Sequence, residues 1–357
     1  MNLALRYTIF SVVVLALSLG LHYWLLNSIY TYFDWNMNVA FHIVVFCLAI
    51  IFPLGMTLQN AIDSKLTRTI YWFASAWLGC VILVSAILLT TQIISLIFFI
   101  PEEIKGLVVI ASFFLCVCAF LYARMIKIVR YTLKSSKIKK NLRIVHLSDL
   151  HIGPIYRESN LKKIVQITNS LKPDLVAITG DLLDGTARYR ELDLLKPLNN
   201  LKAPAYFVFG NHDFYSGEEK VLRLLKATKT KILRSKLVET KGIQLIGIDD
   251  SENKHHAPAE LKKIKFDKKK YSILLYHRPQ GLNKCSEEGI DLILSGHTHG
   301  GQLYPLILID KLFNEYVKGM HQYKNTKIIV SQGVNTWGPP MRMGSQSQII
   351  EINLQPQ

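Results

Sequence analysis

The sequence predicts two parts: an N-terminal four-helix transmembrane region and, after it, an α/β domain. Three observations carry that expectation. Half of the 357 residues are hydrophobic, which is high for a single soluble domain. The apolar residues gather in four long runs before residue 127. After residue 141 short apolar strands alternate with helical periodicity, the pattern of an α/β fold.

The first run, Tyr7 to Ile29, is apolar apart from His22, Asn27 and a few hydroxyls. It exceeds the ~20 residues that cross the hydrocarbon, and further apolar runs come after it, so it reads as an uncleaved span. Val39 to Leu58 is the second, with a kink expected at Pro53-Leu54-Gly55. Ile70 to Ile100 is the third, ended by Pro101, and Leu107 to Ile126 is the fourth. Whether the third is one helix or two pieces is open. Trp24, Tyr30, Tyr32, Trp35, Tyr71 and Trp72 lie near the expected ends, where amphipathic rings settle at an interface.

Basic residues set the orientation. Arg6 precedes the first span and Lys65 and Arg68 come after the second, whereas the loop from Tyr30 to Asn38 has none. After the fourth come Arg124, Lys127, Arg130, Lys134, Lys137, Lys139 and Lys140. The positive-inside rule then puts both termini and the C-terminal domain in the cytoplasm. Residues 127–141 read as a basic juxtamembrane linker suited to anionic lipid. Four basic and four acidic residues precede residue 124, so the whole formal charge of +16 belongs to the later part. Such a surface favours anionic partners. Cys47, Cys80, Cys116 and Cys118 lie in apolar runs and Cys285 stands alone. This excludes a cysteine zinc site and suits a reducing compartment.

Strands are expected at Leu142–Leu147, Asp174–Thr179, Ala205–Phe209, Ile243–Ile248, Ser272–Tyr276, Ile293–Ser295, Lys327–Ser331 and Gln348–Leu354. Helices are expected at Asn160–Leu171, Arg190–Asn199 and Glu218–Ala227. Five of the strands end in polar residues of metal-binding type: Asp149 and His151; Asp181; Asn211 and His212; His277; and His297 and His299. Ligands of open α/β sheets bind at that edge. Carboxylates and imidazoles without a thiolate suit Mn²⁺, Fe or Zn²⁺. Two cations ~3.5–4 Å apart need a carboxylate between them. His146, inside the first strand, reads as a packed residue, and His255 and His256 as surface.

At these residues the chain resembles the calcineurin-like metallophosphoesterases. The resemblance rests on Asp149-Leu150-His151, Gly180-Asp181, Gly210-Asn211-His212-Asp213, His277 and Gly296-His297-Thr298-His299, in that order, and covers residues 142–357. The tail, with Gly300-Gly301-Gln302, Ser331-Gln332-Gly333 and Pro340-Met341-Arg342-Met343-Gly344, resembles the bacterial membrane-associated branch. The resemblance implies a four-layer αββα sandwich of two mixed sheets. It implies that Asp149, His151 and His299 hold one divalent ion and Asn211, His277 and His297 a second, with Asp181 bridging. Manganese is the first expectation, with iron or zinc as alternatives. It further implies that His212 contacts the phosphate and protonates the leaving group, with Asp213 orienting it. Arg342 and Arg278 are candidate substrate contacts.

The run Leu303 to Ile309, continued by Leu312, Phe313, Tyr316 and Val317, is unusually apolar for a loop beside such a site. It reads either as a lid packed on the domain or as a surface that meets lipid. Together these features suggest a multi-pass enzyme of the bacterial inner membrane, hydrolysing a phosphomonoester, phosphodiester or pyrophosphate. A lipid-linked substrate of the UDP-diacylglucosamine type is the favoured expectation. A membrane-tethered enzyme for soluble phosphoesters or nucleotides is the alternative, and a non-enzymatic scaffold a third. No nucleic-acid partner is expected, and the oligomeric state is not legible.

Overall fold

The computed structural model describes residues 3–185 and 193–357, with side chains from residue 15 onward. The chain divides into two compact units. One holds residues 1–121 and takes in Gly338–Met341; the other holds Tyr122–Trp337 and Arg342–Gln357.

The first unit is helical: α1 (Leu3–Tyr32), α2 (Val39–Ala61), α3 (Lys65–Ser95) and α4 (Glu102–Ala123). By length and composition α2, α3 and α4 can cross a membrane. That makes three candidate spans among the described residues where four were expected; the first half of α1, including Arg6, lies outside the described side chains. The third run forms one continuous helix only as far as Ser95, five residues short of the end expected at Ile100, and it starts earlier than its apolar stretch does. Its start is set by a cap: Ser64 Oγ accepts from Thr67 N–H while Thr67 Oγ1 accepts from Ser64 N–H. α2 continues through Pro53 to Ala61. Buried His22 is satisfied on both ring nitrogens, donating to the Ser18 carbonyl and accepting from Trp77 Nε1–H.

The second unit begins with β1 (Lys127–Ser135), β2 (Leu142–Leu147), α5 (Glu158–Ser170), β3 (Leu175–Thr179), β4 (Ala205–Val208), α6 (Asn211–Tyr215), α7 (Glu218–Lys226) and β5 (Lys231–Ile232). It continues with β6 (Lys236–Thr240), β7 (Ile243–Gly247), α8 (His256–Lys263), β8 (Ser272–Leu275), α9 (Leu282–Glu287) and β9 (Leu292–Ser295). α10 (Leu306–Phe313), β10 (Gly319–Tyr323), β11 (Thr326–Val330) and β12 (Gln348–Pro356) complete it. The strands form two mixed six-stranded sheets, ordered β1-β12-β2-β3-β4-β5 and β10-β11-β9-β8-β7-β6. In the first, β2 to β5 run parallel and β12 is antiparallel to β2; in the second, β7, β8, β9 and β11 run parallel.

Strand alternation builds the layers. Ile144, Leu175, Ala177 and Val208 of the first sheet pack against Leu245, Ile273, Leu275 and Leu294 of the second. The residues between them point outward: Val145, Leu147, Val176 and Phe207 pack on Leu161 and Ile164 of α5 and Leu224 of α7. On the far side Ile246, Leu274 and Ile293 pack on Leu261 of α8 and Leu282 of α9. The result is helix, sheet, sheet, helix.

Two expectations change. The segment 127–141 is not merely a linker: Lys127–Ser135 is an edge strand that pairs in parallel with β12 along its whole length. Its charged residues occupy the exposed positions of a half-buried strand, which is why they read as a solvated tether. Of the helix expected at Arg190–Asn199, residues 190–192 lie outside the described residues. The remainder of that stretch holds only a short 3₁₀ turn, Lys196–Asn200, opened by Pro197.

Leu294 is fully buried between the sheets. Leu294→Ala should cost ~2–5 kcal/mol by opening a cavity there. A clear fall in the thermal midpoint of the detergent-solubilised chain checks this; an unchanged midpoint would place Leu294 outside a cooperative core.

Candidate metal centre

The parallel strands β2, β3 and β4 of one sheet and β8 and β9 of the other end at a common edge. Each hands over to a short turn that carries polar residues. The backbone there is unusual. Asp149, His151, Asp181, His297 and His299 have φ of 55°, 40°, 52°, 73° and 51°, in the left-handed region that favours glycine. Such conformations cost ~1–3 kcal/mol each and persist where the surrounding structure over-determines them. Here they turn side chains back across the ends of their own strands. Gly296 is required for close approach: a Cβ there would overlap Ser148 Oγ and the Asp149 carboxylate.

Two groups of candidate ligands result, Asp149 with His151 and His299, and Asp181 with His277 and His297. Within each group the donor atoms lie within 4.8 Å of one another. His299 Nε2 is 3.4 Å from Asp149 Oδ1 and 3.1 Å from His151 Nε2. His277 Nε2 is 3.2 Å from Asp181 Oδ2, and the same oxygen is 3.7 Å from His151 Nε2. Asp181 therefore stands between the groups. Asn211 Oδ1 adds an uncharged oxygen 3.0 Å from His297 Nδ1. The seven residues expected as ligands are thus brought together.

The donor chemistry fits cations. His277 Nδ1–H donates to the Thr179 carbonyl at 2.7 Å, which turns Nε2 toward Asp181. That Nε2 is buried, and Asp181 Oδ2 is its ion-pair partner. Burial holds His151 and His299 well below the usual imidazole range and takes His297 down to about 3, so these rings offer free lone pairs. Burial also opposes ionisation of Asp181, but the surrounding His277, His212 and His151 outweigh it and hold the carboxyl well below its ordinary range. Burial pushes Asp149 up to about 6. His277 goes the other way. Burial lowers it, but Asp181, Asp149 and Asp250 outweigh burial and raise it to about 10. A proton on His277 thus does what a metal cation would do between these carboxylates.

His212 is half-buried beside the two groups. Its Nδ1–H donates to the Asp184 carbonyl at 2.8 Å and its backbone N–H to Asp181 Oδ1 at 2.9 Å. The ring lies 4.9 Å from that of His151 and 5.3 Å from those of Tyr215 and Trp337. Asp213 does not orient it, contrary to expectation. The buried Asp213 carboxylate instead accepts from the backbone N–H groups of Leu182, Leu183 and Gly210. Successive residues of a helix point about 100° apart. With His212 turned to the open side of α6, Asp213 points inward and ties two ligand loops together.

Arg342 also departs from expectation. It is 1% exposed, and its terminal nitrogens donate to the carbonyls of His299, Gln332 and Asn335 and to Ser345 Oγ. Those donors are engaged and cannot serve a substrate anion; Arg342 braces the loop of His299. Arg278 is partly exposed, with Nε on the Asp250 carboxylate at 2.9 Å. His146 is a buried strand residue bonded to Thr179 Oγ1, as expected.

Asp184 escaped the sequence reading. Its carbonyl fixes His212, and its carboxylate lies 3.8 Å from His151 Nδ1. The signal was its place three residues after Asp181 in the same loop. The Thr179 carbonyl carried no signal, because every residue has one.

The family profile described as calcineurin-like phosphoesterase matches residues 142–301. A Helicobacter pylori protein described as an uncharacterized metallophosphoesterase is 37% identical over 228 residues, which cover 62% of this chain and 61% of that one. An Aquifex aeolicus metallophosphoesterase is 35% identical over 242 residues, covering 64% of this chain and 92% of the relative. A Danio rerio transmembrane protein with metallophosphoesterase domain is 34% identical over 233 residues, 60% of this chain and 53% of its own length. The chain thus spans about three fifths of the length of the Helicobacter relative.

Metal must displace the His277 proton at any pH below about 10. Between about pH 6.5 and 9 the apparent Mn²⁺ affinity should rise roughly tenfold per pH unit, with about one proton released. Calorimetry in buffers of different ionisation enthalpy measures both; an affinity independent of pH contradicts a protonated His277.

Proposed function

The chain belongs to the calcineurin-like phosphoesterase family, and from that premise we propose that it is a membrane-bound, dinuclear-metal phosphoesterase. One observation carries the reading: a single buried carboxylate oxygen, Asp181 Oδ2, sits 3.2 Å from His277 and 3.7 Å from His151, between two ligand groups that each draw on both sheets. In this reading Asp149, His151 and His299 hold one ion, Asn211, His277 and His297 the other, and Asp181 bridges. Manganese is the proposed metal, with iron or zinc compatible with the same donors. When bound, the pair would activate a water and neutralise phosphoryl oxygens.

The chain's own residues do the rest. Because the Asp184 carbonyl holds the Nδ1 proton of His212, the Nε2 of that ring is the atom left to face substrate. We assign it the proton delivered to the leaving oxygen. Arg278, aimed by Asp250, is a candidate contact for the phosphate. Tyr215 and Trp337, both exposed and both beside His212, form a rim that restricts approach to it.

The finer reading is a lipid-linked phosphoester or pyrophosphate, of the UDP-diacylglucosamine type, cleaved at the cytoplasmic face of a bacterial inner membrane. Its supports are the candidate spans and the basic residues that cluster after α4. The test is Mn²⁺-dependent hydrolysis across a panel of lipid and water-soluble phosphoesters by the full chain. Nucleotide monophosphate released from the lipid pyrophosphate supports the finer reading. Turnover of soluble esters alone would leave a tethered enzyme for soluble substrates. A truncation used to separate these must keep Lys127, since β1 belongs to the sandwich.

His212→Ala should lower kcat by ~10²–10⁴ while metal content, read by elemental analysis, stays unchanged. Asp181→Asn should lose metal as well as activity. Undiminished turnover in either variant would mean that the measured activity does not arise at this centre, and no turnover by the metal-loaded unsubstituted chain would return the protein to the class of non-enzymatic scaffolds.

A further inference from the structure

Helix α10 has no buried residue. Of its eight residues only Asp310 and Lys311 are polar. Leu312 and Phe313 are 81% and 72% exposed, and Leu308 and Ile309 51% each. Leu308 with Leu312 and Ile309 with Phe313 are i,i+4 pairs, so these four side chains form one apolar face. A short helix gains nothing from presenting such a face to water. The root of the helix is nonetheless firmly held. Leu303 is fully buried and bridges to Met343 and Gly344, and a Cβ on Gly301 would overlap the backbone of Ile307. α10 therefore projects from the same loop that carries His297 and His299.

A second observation indicates what covers this face. The polypeptide enters the sandwich at the metal-centre edge. Lys127 lies opposite Gln348 at the start of β12. β12 is antiparallel to β2, with Ile350 opposite His146, so Gln348 sits at the end of β2 that leads into Asp149 and His151. Ser347 Oγ donates to the carbonyl of Ala123, the last residue of α4. Residues 124–126 alone connect this apolar, span-length helix to β1, and three residues reach at most about 10 Å. The edge that carries α10 is thus the edge tethered to a candidate membrane span. Exposed Trp337 and Tyr304, and the cations Lys311 and Lys318, give it the composition of a bilayer interface.

We propose that α10 is a membrane-inserting helix, whose Leu308, Ile309, Leu312 and Phe313 enter the headgroup–acyl boundary of the bilayer that the chain's own apolar helices cross. Insertion itself is independent of turnover. Its consequence for substrate, a phosphoester presented at headgroup depth, rests on the phosphoesterase reading above.

The test is photolabelling of the full chain. The chain is reconstituted into phosphatidylcholine–phosphatidylglycerol vesicles doped with a phosphatidylcholine that carries a diazirine near the carbonyl end of one acyl chain. Adducts are mapped by mass spectrometry. Lipid adducts are expected within residues 304–313 and absent from the turn 267–270 at the opposite edge. The pair Leu312→Glu and Phe313→Glu should reduce labelling of 304–313 about tenfold, because two carboxylates oppose interfacial burial, with an unchanged thermal midpoint showing that the chain is folded. Adducts confined to α2, α3 and α4, or labelling of 304–313 that survives both substitutions, overturn the proposal. Because no catalysis is measured, its failure is distinguishable from absence of phosphoesterase activity.

Discussion

Asp149 and Asp181 are buried carboxylates, and no lysine or arginine among the described residues forms an ion pair with either; their neighbours at that range are imidazoles, of which His277 is held protonated. Burying such charges is expensive unless something positive is brought to them. The rest of the α/β unit is arranged around that requirement. Two sheets converge so that strand ends from both surround the same carboxylates. Five backbones are bent into the left-handed region so that their side chains turn inward. One proton on His277 partly meets the need, and the pair of divalent cations proposed above would meet it fully.

A shell of backbone acceptors makes the arrangement specific. The Thr179 carbonyl decides which nitrogen of His277 is free, and the Asp184 carbonyl does the same for His212. Asp213 gathers three amides from two ligand loops, and Arg342 gathers carbonyls from the His299 loop and the tail. Both are buried residues whose polar atoms face backbone partners. Their buried hydrogen bonds hold the loops against the strain stored at the ligands.

The same edge has a second character. It carries the polar centre, an exposed apolar helix and the point at which the chain arrives from α4. A water-filled cleft needs only the first of these. The presence of all three on one edge is what the proposed insertion of α10 rests on.

Much of this was legible in the residues. Strands buried on both faces are continuous apolar runs, so β2, β3, β4, β7, β8 and β9 stood out, and the polar residues just past them marked the site. The polar strand-end residues, the packed role of His146 and the α/β class come from types and spacings; the division of those residues into ligand groups was implied by the resemblance to the metallophosphoesterases. Other features became visible only in three dimensions. Edge strands β1, β5, β6 and β10 are half-exposed, so their alternation is diluted by charge and β1 passed for a linker. The direction in which Asp213 points depends on how α6 is rotated. The fate of Arg342 depends on which carbonyls converge on it from two separate segments. Sequence determines which groups are present and which local conformations are accessible; it does not say which donor meets which acceptor across long chain separations. Tertiary packing decided that here, because a buried polar group must find its partner wherever the fold brings one within reach.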